Sequence, residues 1–178
     1  LDDRRHPHQR QFAQGAVDLH GMTAEQLISK YGLAPLPGEG GFFRRFYTHN
    51  QKLENSPSHL ASAIFYLVTK NSFSAMHRLP SEELFHFYEG HPVQMLQLDP
   101  AGGGRIVNLG PDHERAIVVP GGFWQGMRLE DSAPDAAFAL FGVSVHPEFR
   151  NEEFELGNRA VLCAAYPEWR GEIVRLTR

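Results

Sequence analysis

One imidazole and one carboxyl group stand six positions apart, at His77 and Glu83, in an otherwise apolar and aromatic stretch. His77 ends a short run of alternating apolar residues, and Glu83 opens an aromatic run that Gly90 closes. Residues 79–82, Leu-Pro-Ser-Glu, separate the two runs. Period-2 alternation on both sides of a polar turn predicts a hairpin of two antiparallel strands. Such a hairpin would bring the two side chains together at the mouth of a barrel, as part of a metal site or as an acid–base pair.

Strand parity predicts which side chains accompany this pair, because alternate residues of a strand point to opposite faces. The residues expected on the inner face are Phe73, Ala75, His77 and Leu79 on the first strand, and Glu83, Phe85 and Phe87 on the second. A carboxyl group in an aromatic strand needs a partner. Arg78 is a candidate for that partner, or for a group that holds a ligand anion. His86 has the opposite parity, which favours a hydrogen-bonded sheet residue or a subunit contact unless its side chain turns inward.

The spacing of the same residues resembles the first motif of the cupin superfamily. His77, Glu83 and Gly90 stand where that motif has its first histidine, its glutamate and its closing glycine. Two positions depart from it, because Asn71 replaces the opening glycine and Leu79 replaces the second histidine. Two of the usual metal ligands of this motif therefore remain.

A second segment, residues 119–125 (Val-Pro-Gly-Gly-Phe-Trp-Gln), is similar to the second cupin motif. Here Gln125 replaces the histidine, Leu129 replaces the asparagine and Glu114 replaces the leading glycine. If the motif is built as in other cupins, Phe123, Gln125 and Met127 join the barrel interior. An amide is a poor substitute for an imidazole as a metal ligand.

Several further segments narrow the resemblance to an uncharacterised branch of the superfamily, first described as a domain of unknown function. They are LISKYGL, EGGFFR, AIFYLVT, VVPGGFWQG and FGVSVHPEF, and they occur in this order from about Leu27 onward. The resemblance implies a jelly-roll β-barrel, usually dimeric, with a shape similar to the dTDP-sugar 3,5-epimerases. It implies no known reaction, because a shared fold is a weak guide to chemistry.

The remaining patterns predict an all-β protein with a helix near each end. Thr23 and Gln26 form a capping box for a short helix over residues 23–31, and Gly32 ends it. Pro167 ends an amphipathic C-terminal helix predicted over residues 154–166. Short apolar runs separated by Gly and Pro turns predict the other strands, at residues 60–68, 93–98, 105–109, 116–119, 123–129 and 137–145.

Composition limits the class of protein. The chain has 178 residues, 42% of them apolar, a net charge of −4 and one cysteine. These values favour a single globular domain, which the resemblance identifies as a cupin domain over residues 22–178, with residues 1–21 as a polar arm or leader before Met22. The sequence shows no basic stripe, membrane span or signal peptide, so we expect a cytoplasmic protein that binds neither nucleic acid nor membrane. Cys163 is expected to be a core residue, and a homodimer is expected through sheet edges and the arm.

The residues left at the motif positions favour chemistry without a metal. His77, Glu83 and Gln125 would be the ligands of any divalent metal, and we expect weak or absent binding and no cofactor. The alternatives are a metal-dependent dioxygenase, isomerase or lyase, and a module that binds a small molecule without turning it over.

Without a metal, the most accessible reaction is an epimerisation or isomerisation of a sugar-like or carbonyl-bearing small molecule. His77 would be the base and Glu83 its orienting partner. A donor to the developing oxyanion would be Gln125 or Arg78, and Tyr66 or Tyr88 would return the proton. The residues predicted to contact the ligand are Arg78, Phe85, Phe87, Phe123, Gln125, His86 and Tyr66.

Overall fold

The body of the protein consists of two antiparallel β-sheets that face each other, in a computed structural model that describes residues 21–178. The strands are β1 (Ala34–Pro35), β2 (Phe42–Thr48), β3 (Ser62–Thr69), β4 (Ser74–Arg78), β5 (Glu82–Gly90), β6 (Val93–Leu98), β7 (Gly104–Leu109), β8 (Ala116–Val119), β9 (Trp124–Leu129), β10 (Phe138–His146) and β11 (Glu155–Leu156). The helices are α1 (Ala24–Tyr31), α2 (Arg159–Ala165) and α3 (Arg170–Arg175), with 3₁₀ turns at Asn151–Glu153 and Pro167–Trp169.

The strand order is that of a jelly roll. One sheet has the order β1-β2-β3-β10-β5-β8, and the other has the order β11-β4-β9-β6-β7. The predicted all-β class is confirmed, and β6 and β8 begin and end at the predicted residues. The short runs predicted these bounds well because each is closed by Gly or Pro residues that suit turns.

The predicted hairpin between β4 and β5 is wrong. Strand β4 pairs with β9 and β11, whereas β5 pairs with β10 and β8 in the other sheet. The turn after Arg78 therefore carries the chain across the barrel from one sheet to the other. Period-2 alternation identifies a strand and its buried face, but it does not identify the strand's hydrogen-bonding partner. His77 and Glu83 still meet, because the inner faces of the two sheets oppose each other.

The space between the sheets holds the main apolar core. The core contains Phe85 and Phe87 of β5, Met127 of β9 and Phe141 of β10, with Phe123 packed against its edge. These inward positions agree with the predicted parity. Phe73 is an exception, because it precedes β4 and packs outside the barrel.

Helix α1 covers part of the outer face of the six-stranded sheet. The hydroxyl oxygen of Thr23 accepts a hydrogen bond from the Gln26 backbone N–H, and the side-chain oxygen of Gln26 accepts one from the Thr23 backbone N–H. This confirms the predicted capping box. Leu27 of the helix packs on Leu67 and Leu140 of the sheet. Phe46, Tyr88 and Val118 stay partly exposed, and the homodimer stays a prediction.

The C-terminal helix begins later than predicted. Glu155 and Leu156 pair with β4 as an edge strand, so the helix starts at Arg159, where the Asn158 side chain caps it. The amphipathic pattern could not separate these residues from the helix, since the ladder bonds come from a distant strand. Helices α2 and α3 cover the outer face of the five-stranded sheet, with Leu162, Cys163 and Ile173 packed on Met76, Leu96, Leu98 and Trp124.

Two further predictions concern the N-terminal arm and membrane-spanning segments. The arm predicted for residues 1–21 lies outside the described residues, apart from Gly21. Within residues 21–178, no helix is long and apolar enough to cross a lipid bilayer.

Packing of α2 predicts a contrast between two neighbouring side chains. Leu162 is 1% exposed beneath the helix, and Val161 beside it is 62% exposed. We expect Leu162→Ala to lower the free energy of unfolding by about 2–5 kcal/mol, because it leaves a cavity against the sheet. Val161→Ala should change it by less than about 0.5 kcal/mol. Urea denaturation of both variants measures this, and equal losses would contradict the packing described.

Candidate functional site

A cavity of about 470 Å³ opens at one end of the barrel. Its polar side chains at the inner end are His77, Glu83, Glu39 and Tyr66. Apolar and aromatic side chains form its walls, among them Phe43, Ile64, Phe85, Val143 and Phe154. A concave, mostly apolar site with a few polar groups is typical of small-molecule binding.

His77 is held with one ring nitrogen directed to the protein backbone. It lies on β4 opposite Gln125 of β9 and is 3% exposed. Its Nδ1 is 2.8 Å from the carbonyl oxygen of Ala75. Since a carbonyl oxygen only accepts, Nδ1 carries the proton and donates it to Ala75. The ring also stacks on Phe154, with centroids 5.4 Å apart. Nε2 is therefore the atom left for chemistry.

Glu83 projects from β5 on the opposite sheet toward the same point. The Gln125 side-chain amide donates a hydrogen bond to Glu83 Oε1. Burial raises the pKa of Glu83 from its ordinary 4.5 to about 7, with a further increase from the charge of Glu39, while His77 and Gln125 oppose the change. Near neutral pH the carboxyl group is thus divided between its protonated and ionised forms.

Glu39 is the site residue that the sequence analysis missed. It lies in the loop before β2, and its Oε1 accepts a hydrogen bond of 2.9 Å from Ser74 Oγ. Its Oε2 is 3.9 Å from His77 Nε2. Glu39 opens the EGGFFR segment on which the resemblance partly rests, but the two cupin motifs do not include it. A carboxylate between glycines in that segment was the available signal.

The two carboxyl groups decide the protonation of His77. Burial alone would lower the pKa of this imidazole, but the charges of Glu39 and Glu83 and the Ala75 carbonyl together raise it above its ordinary 6.5. Because His77 and Glu83 influence each other, these two groups lose their protons in coupled steps.

Tyr66 closes the inner end of the cavity with a neutral hydroxyl group. It donates a hydrogen bond of 3.0 Å to the carbonyl oxygen of Gly40. Burial, together with the charge of Glu39, holds the Tyr66 pKa well above its usual range. The ring packs directly on Gly41, where φ is +72° and an added Cβ would lie 2.7 Å from the tyrosine Cε2. Glycine is therefore required at this position.

Two predicted contact residues lie away from the cavity. Arg78 projects from the outer face of β4, donates to Glu155 Oε2 at 2.7 Å and stacks on the Trp124 ring. It is not the partner of Glu83, because its neighbour His77 takes the inward position of the strand. His86 is exposed on the outer face of β5, as its parity indicated.

The predicted aromatic residues divide between the cavity and the core. Phe85 and Tyr66 line the cavity. Phe87 packs deeper, with its ring centroid 5.6 Å from that of Phe141. Phe123 packs at the edge of the same core, and Tyr88, proposed with Tyr66 to return a proton, lies partly exposed on the outer face.

Two arginines stand at the mouth, and each is engaged by the protein. Arg45 Nη2 donates to the carbonyl oxygen of Phe149 at 2.9 Å, and its Nη1 is 3.7 Å from Glu148 Oε2. Arg150 is 3.5 Å from Glu152 and 3.6 Å from Glu153. These contacts fix the segment 148–154, which forms one side of the opening.

The donor set does not fit a transition-metal site. Leu79 supplies no ligand atom, and the hydrogen-bonding amide of Gln125 is directed to Glu83. In the described part of the chain, no group of three His, Cys, Asp or Glu side chains is arranged to hold a metal ion. A metal cupin centre needs more imidazole or carboxylate ligands than this arrangement offers.

Comparison with known proteins places these features in a family. A family model described as "Cupin superfamily (DUF985)" matches residues 25–157. Solved structures of a protein from Shewanella oneidensis and of a hypothetical protein from Leishmania major each share 28% identity, with a TM-score of 0.80. Both alignments cover 88% of this chain, and they cover 98% and 99% of those chains, respectively.

A more distant match shares the fold and gives no information about the chemistry. Oxalate decarboxylase from Bacillus subtilis aligns with 81% of this chain and 37% of its own, at 14% identity and a TM-score of 0.52. Such low identity indicates a shared fold alone. No curated protein matches the chain.

Burial of Glu83 predicts a pH-dependent stability. The folded carboxyl group binds its proton more tightly than the unfolded one, so the free energy of unfolding falls as pH rises from 4.5 to about 7. At about 1.4 kcal/mol per pH unit, the Glu83→Gln variant should gain about 3 kcal/mol relative to the native protein between pH 4.5 and pH 8. Glu82→Gln, at the exposed neighbour, should gain nothing. Urea titrations at several pH values measure this, and parallel curves for Glu83→Gln and the native protein would contradict it.

The donor set also predicts the metal content. We expect protein purified without chelator to hold well below one divalent metal ion per chain by elemental analysis, because no three His, Cys, Asp or Glu side chains of the described residues are arranged to hold one. Histidines elsewhere bind metal non-specifically, so His77→Gln serves as the control. Stoichiometric metal that this variant loses would contradict the prediction and favour a metal-dependent cupin enzyme.

Proposed function

Because the chain belongs to the DUF985 family of the cupin superfamily, we propose that its barrel binds a small sugar-like or carbonyl-bearing molecule and transfers a proton on it without a metal. The proposal depends on the position of the His77 side chain in the cavity. His77 Nε2 faces the cavity between two buried carboxyl groups, with Nδ1 already committed to the backbone. This arrangement supports an epimerisation or isomerisation.

His77 would act as the base. In the neutral imidazole the Ala75 carbonyl oxygen holds the proton on Nδ1, so Nε2 presents its lone pair to the cavity. Nε2 would take a proton from the carbon beside the substrate carbonyl, and the electron pair of that C–H bond would become the double bond of an enol. Glu39, 3.9 Å from Nε2, would stabilise the imidazolium formed. Glu39 thus takes the supporting role that the sequence analysis gave to Glu83.

Glu83 would act on the carbonyl oxygen of the substrate. With a pKa of about 7, its carboxyl group is protonated for part of the time at neutral pH and can donate a hydrogen bond. Its proton would pass to the oxygen as negative charge develops there. Gln125 and Arg78 are poorly placed for this role, because the Gln125 amide already donates to Glu83 and Arg78 lies outside the cavity.

Return of the proton decides the outcome. On a hydroxyketone, His77 can return the proton to the former carbonyl carbon while the ionised Glu83 takes the proton of the hydroxyl group on the other carbon. The product is then an isomer with the carbonyl group moved to that carbon. If a second group returns it to the opposite face of the same carbon, the product is an epimer. Tyr66 is the candidate for that second group, and it must first release its hydrogen bond to the Gly40 carbonyl.

The apolar walls support this chemistry. Phe85, Phe154 and Val143 limit the access of water to the reacting atoms. Charges and hydrogen bonds act more strongly where water is excluded. The volume of about 470 Å³ lies within the usual range for pockets that bind small organic molecules.

The test is hydrogen exchange catalysed on a panel of hydroxyketones and keto-sugars in D₂O. We expect the native protein to incorporate deuterium beside the carbonyl group, detected by NMR or mass spectrometry. His77→Gln should lower the rate by about 10²–10⁴-fold, because it removes the base. His86→Gln, at an exposed histidine of the same barrel, is the matched control and should leave the rate unchanged.

The same variants separate a catalyst from a binding module. A binding module would hold members of the panel with equal affinity before and after His77→Gln, and neither protein would exchange deuterium. Absence of exchange by the native protein across the panel would therefore overturn the catalytic proposal.

A further inference from the structure

We propose that the cavity selects an uncharged polyol, with one hydroxyl oxygen bridging His77 Nε2 and Glu39 Oε2, and that it rejects carboxylated and phosphorylated ligands. The inference adopts the cavity of the proposed function and adds the chemical class of its ligand. It does not depend on proton transfer.

The distance between His77 Nε2 and Glu39 Oε2 leaves room for one ligand atom between them. His77 Nε2 and Glu39 Oε2 are 3.9 Å apart, which is too far for a direct hydrogen bond. A single oxygen at about 2.8 Å from each atom fits between them. Within the described residues, Nε2 makes no hydrogen bond although the side chain is 3% exposed. A ring nitrogen that lines a cavity, has a carboxylate 3.9 Å away and makes no hydrogen bond leaves room for a polar group of a ligand.

A hydroxyl group suits this pair of atoms. When the imidazole is protonated, Nε2 donates and the Glu39 carboxylate accepts. A hydroxyl oxygen accepts from the first and donates to the second, so both protein groups are satisfied by one ligand atom. A carboxylate or phosphate oxygen accepts only, and it would leave Glu39 facing a like charge.

The charged side chains that line the cavity disfavour an anionic ligand. Four carboxyl side chains line the cavity, at Glu39, Glu83, Glu148 and Glu152, against two guanidinium groups at Arg45 and Arg150. The excess of carboxyl groups is concentrated at the inner end, where Glu39 and Glu83 flank a single imidazole. An anion placed there would be buried beside like charges.

The two arginines at the mouth do not offset this excess. Arg45 is occupied by the Phe149 carbonyl and by Glu148. Arg150 lies between Glu152 and Glu153. An anionic ligand would have to break these contacts before either guanidinium group became available. Among the described residues that line the cavity, every arginine is thus already paired with a carboxylate.

A ligand ammonium group is a poorer occupant than a hydroxyl group. It would have to compete with the His77 imidazole for Glu39, since both would be cations beside the same carboxylate. It would also bring three donors to an end of the cavity where Glu39 already accepts from Ser74 and Glu83 already accepts from Gln125. The uncharged hydroxyl group needs neither adjustment.

The test compares matched sugars on the unmodified protein. The probes are glucose, galactose and mannose, each with its uronate and its 2-amino-2-deoxy derivative, titrated by isothermal calorimetry at pH 7.5. We expect at least one neutral hexose to bind, and its uronate and hexosamine to bind about tenfold more weakly or worse. A uronate or hexosamine that binds as tightly as its neutral parent, or failure of all three neutral hexoses to bind, would overturn the proposal.

Two variants test whether the inner end of the cavity causes the preference for a neutral hexose over its uronate. Glu39→Gln removes one carboxylate from the inner end, so it should reduce the ratio of the hexose and uronate affinities several-fold. Glu82→Gln, at an exposed carboxyl group outside the cavity, should leave the ratio of the hexose and uronate affinities unchanged. Circular dichroism establishes that each variant is folded, and Glu83→Gln takes the place of Glu39→Gln if the latter is not. Unchanged discrimination in the folded inner variant would contradict the role of this end.

The results distinguish failure of the proposed ligand class from failure of the proposed catalytic role. Selective binding of a neutral hexose without deuterium exchange would retain the ligand class and remove the catalytic role. Exchange on an anionic substrate that binds tightly would retain the catalytic role and remove the ligand class.

Discussion

Burial of two carboxyl groups beside one imidazole is the constraint on which the rest of this site depends. His77, Glu83 and Glu39 are each less than one-tenth exposed, and a buried ionisable group is costly unless it is hydrogen-bonded or neutralised. Each has its own hydrogen-bond partner: the Ala75 carbonyl for His77, the Gln125 amide for Glu83 and the Ser74 hydroxyl for Glu39. The raised pKa values of His77 and Glu83 result from burial and neighbouring charges together rather than from any one contact.

The loop that carries Glu39 is held from both sides of the barrel wall. On the inner side, the backbone N–H of Ala75 donates to the Glu39 carbonyl oxygen and Tyr66 donates to that of Gly40. On the outer side, Arg178 donates to the carbonyl oxygen of Gly38 at 2.6 Å and lies over the Phe73 ring. These contacts explain how a loop residue reaches a strand histidine with a fixed geometry, which a flexible loop would not provide.

The site has the position of a cupin centre but a different chemical character. Leucine at position 79 removes one imidazole, and the amide at position 125 stabilises Glu83 instead of contributing an imidazole. A carboxyl group from the loop takes a place beside His77 that the two motifs do not specify. The jelly roll thus supplies a rigid inner surface, while the side chains on it decide whether the chemistry involves a metal or a proton.

Local patterns in the sequence determined strands β3 to β10 closely, together with the inward direction of His77, Glu83 and Phe85, because alternation depends only on strand geometry. They also determined the capping box of α1 and the exposed position of His86. Only the tertiary structure decided that β4 and β5 belong to opposite sheets, that Glu155 and Leu156 form an edge strand, and that Glu39 joins the site. Each of these depends on contacts between segments far apart in the chain, and a local pattern carries no information about which distant segment will supply the partner.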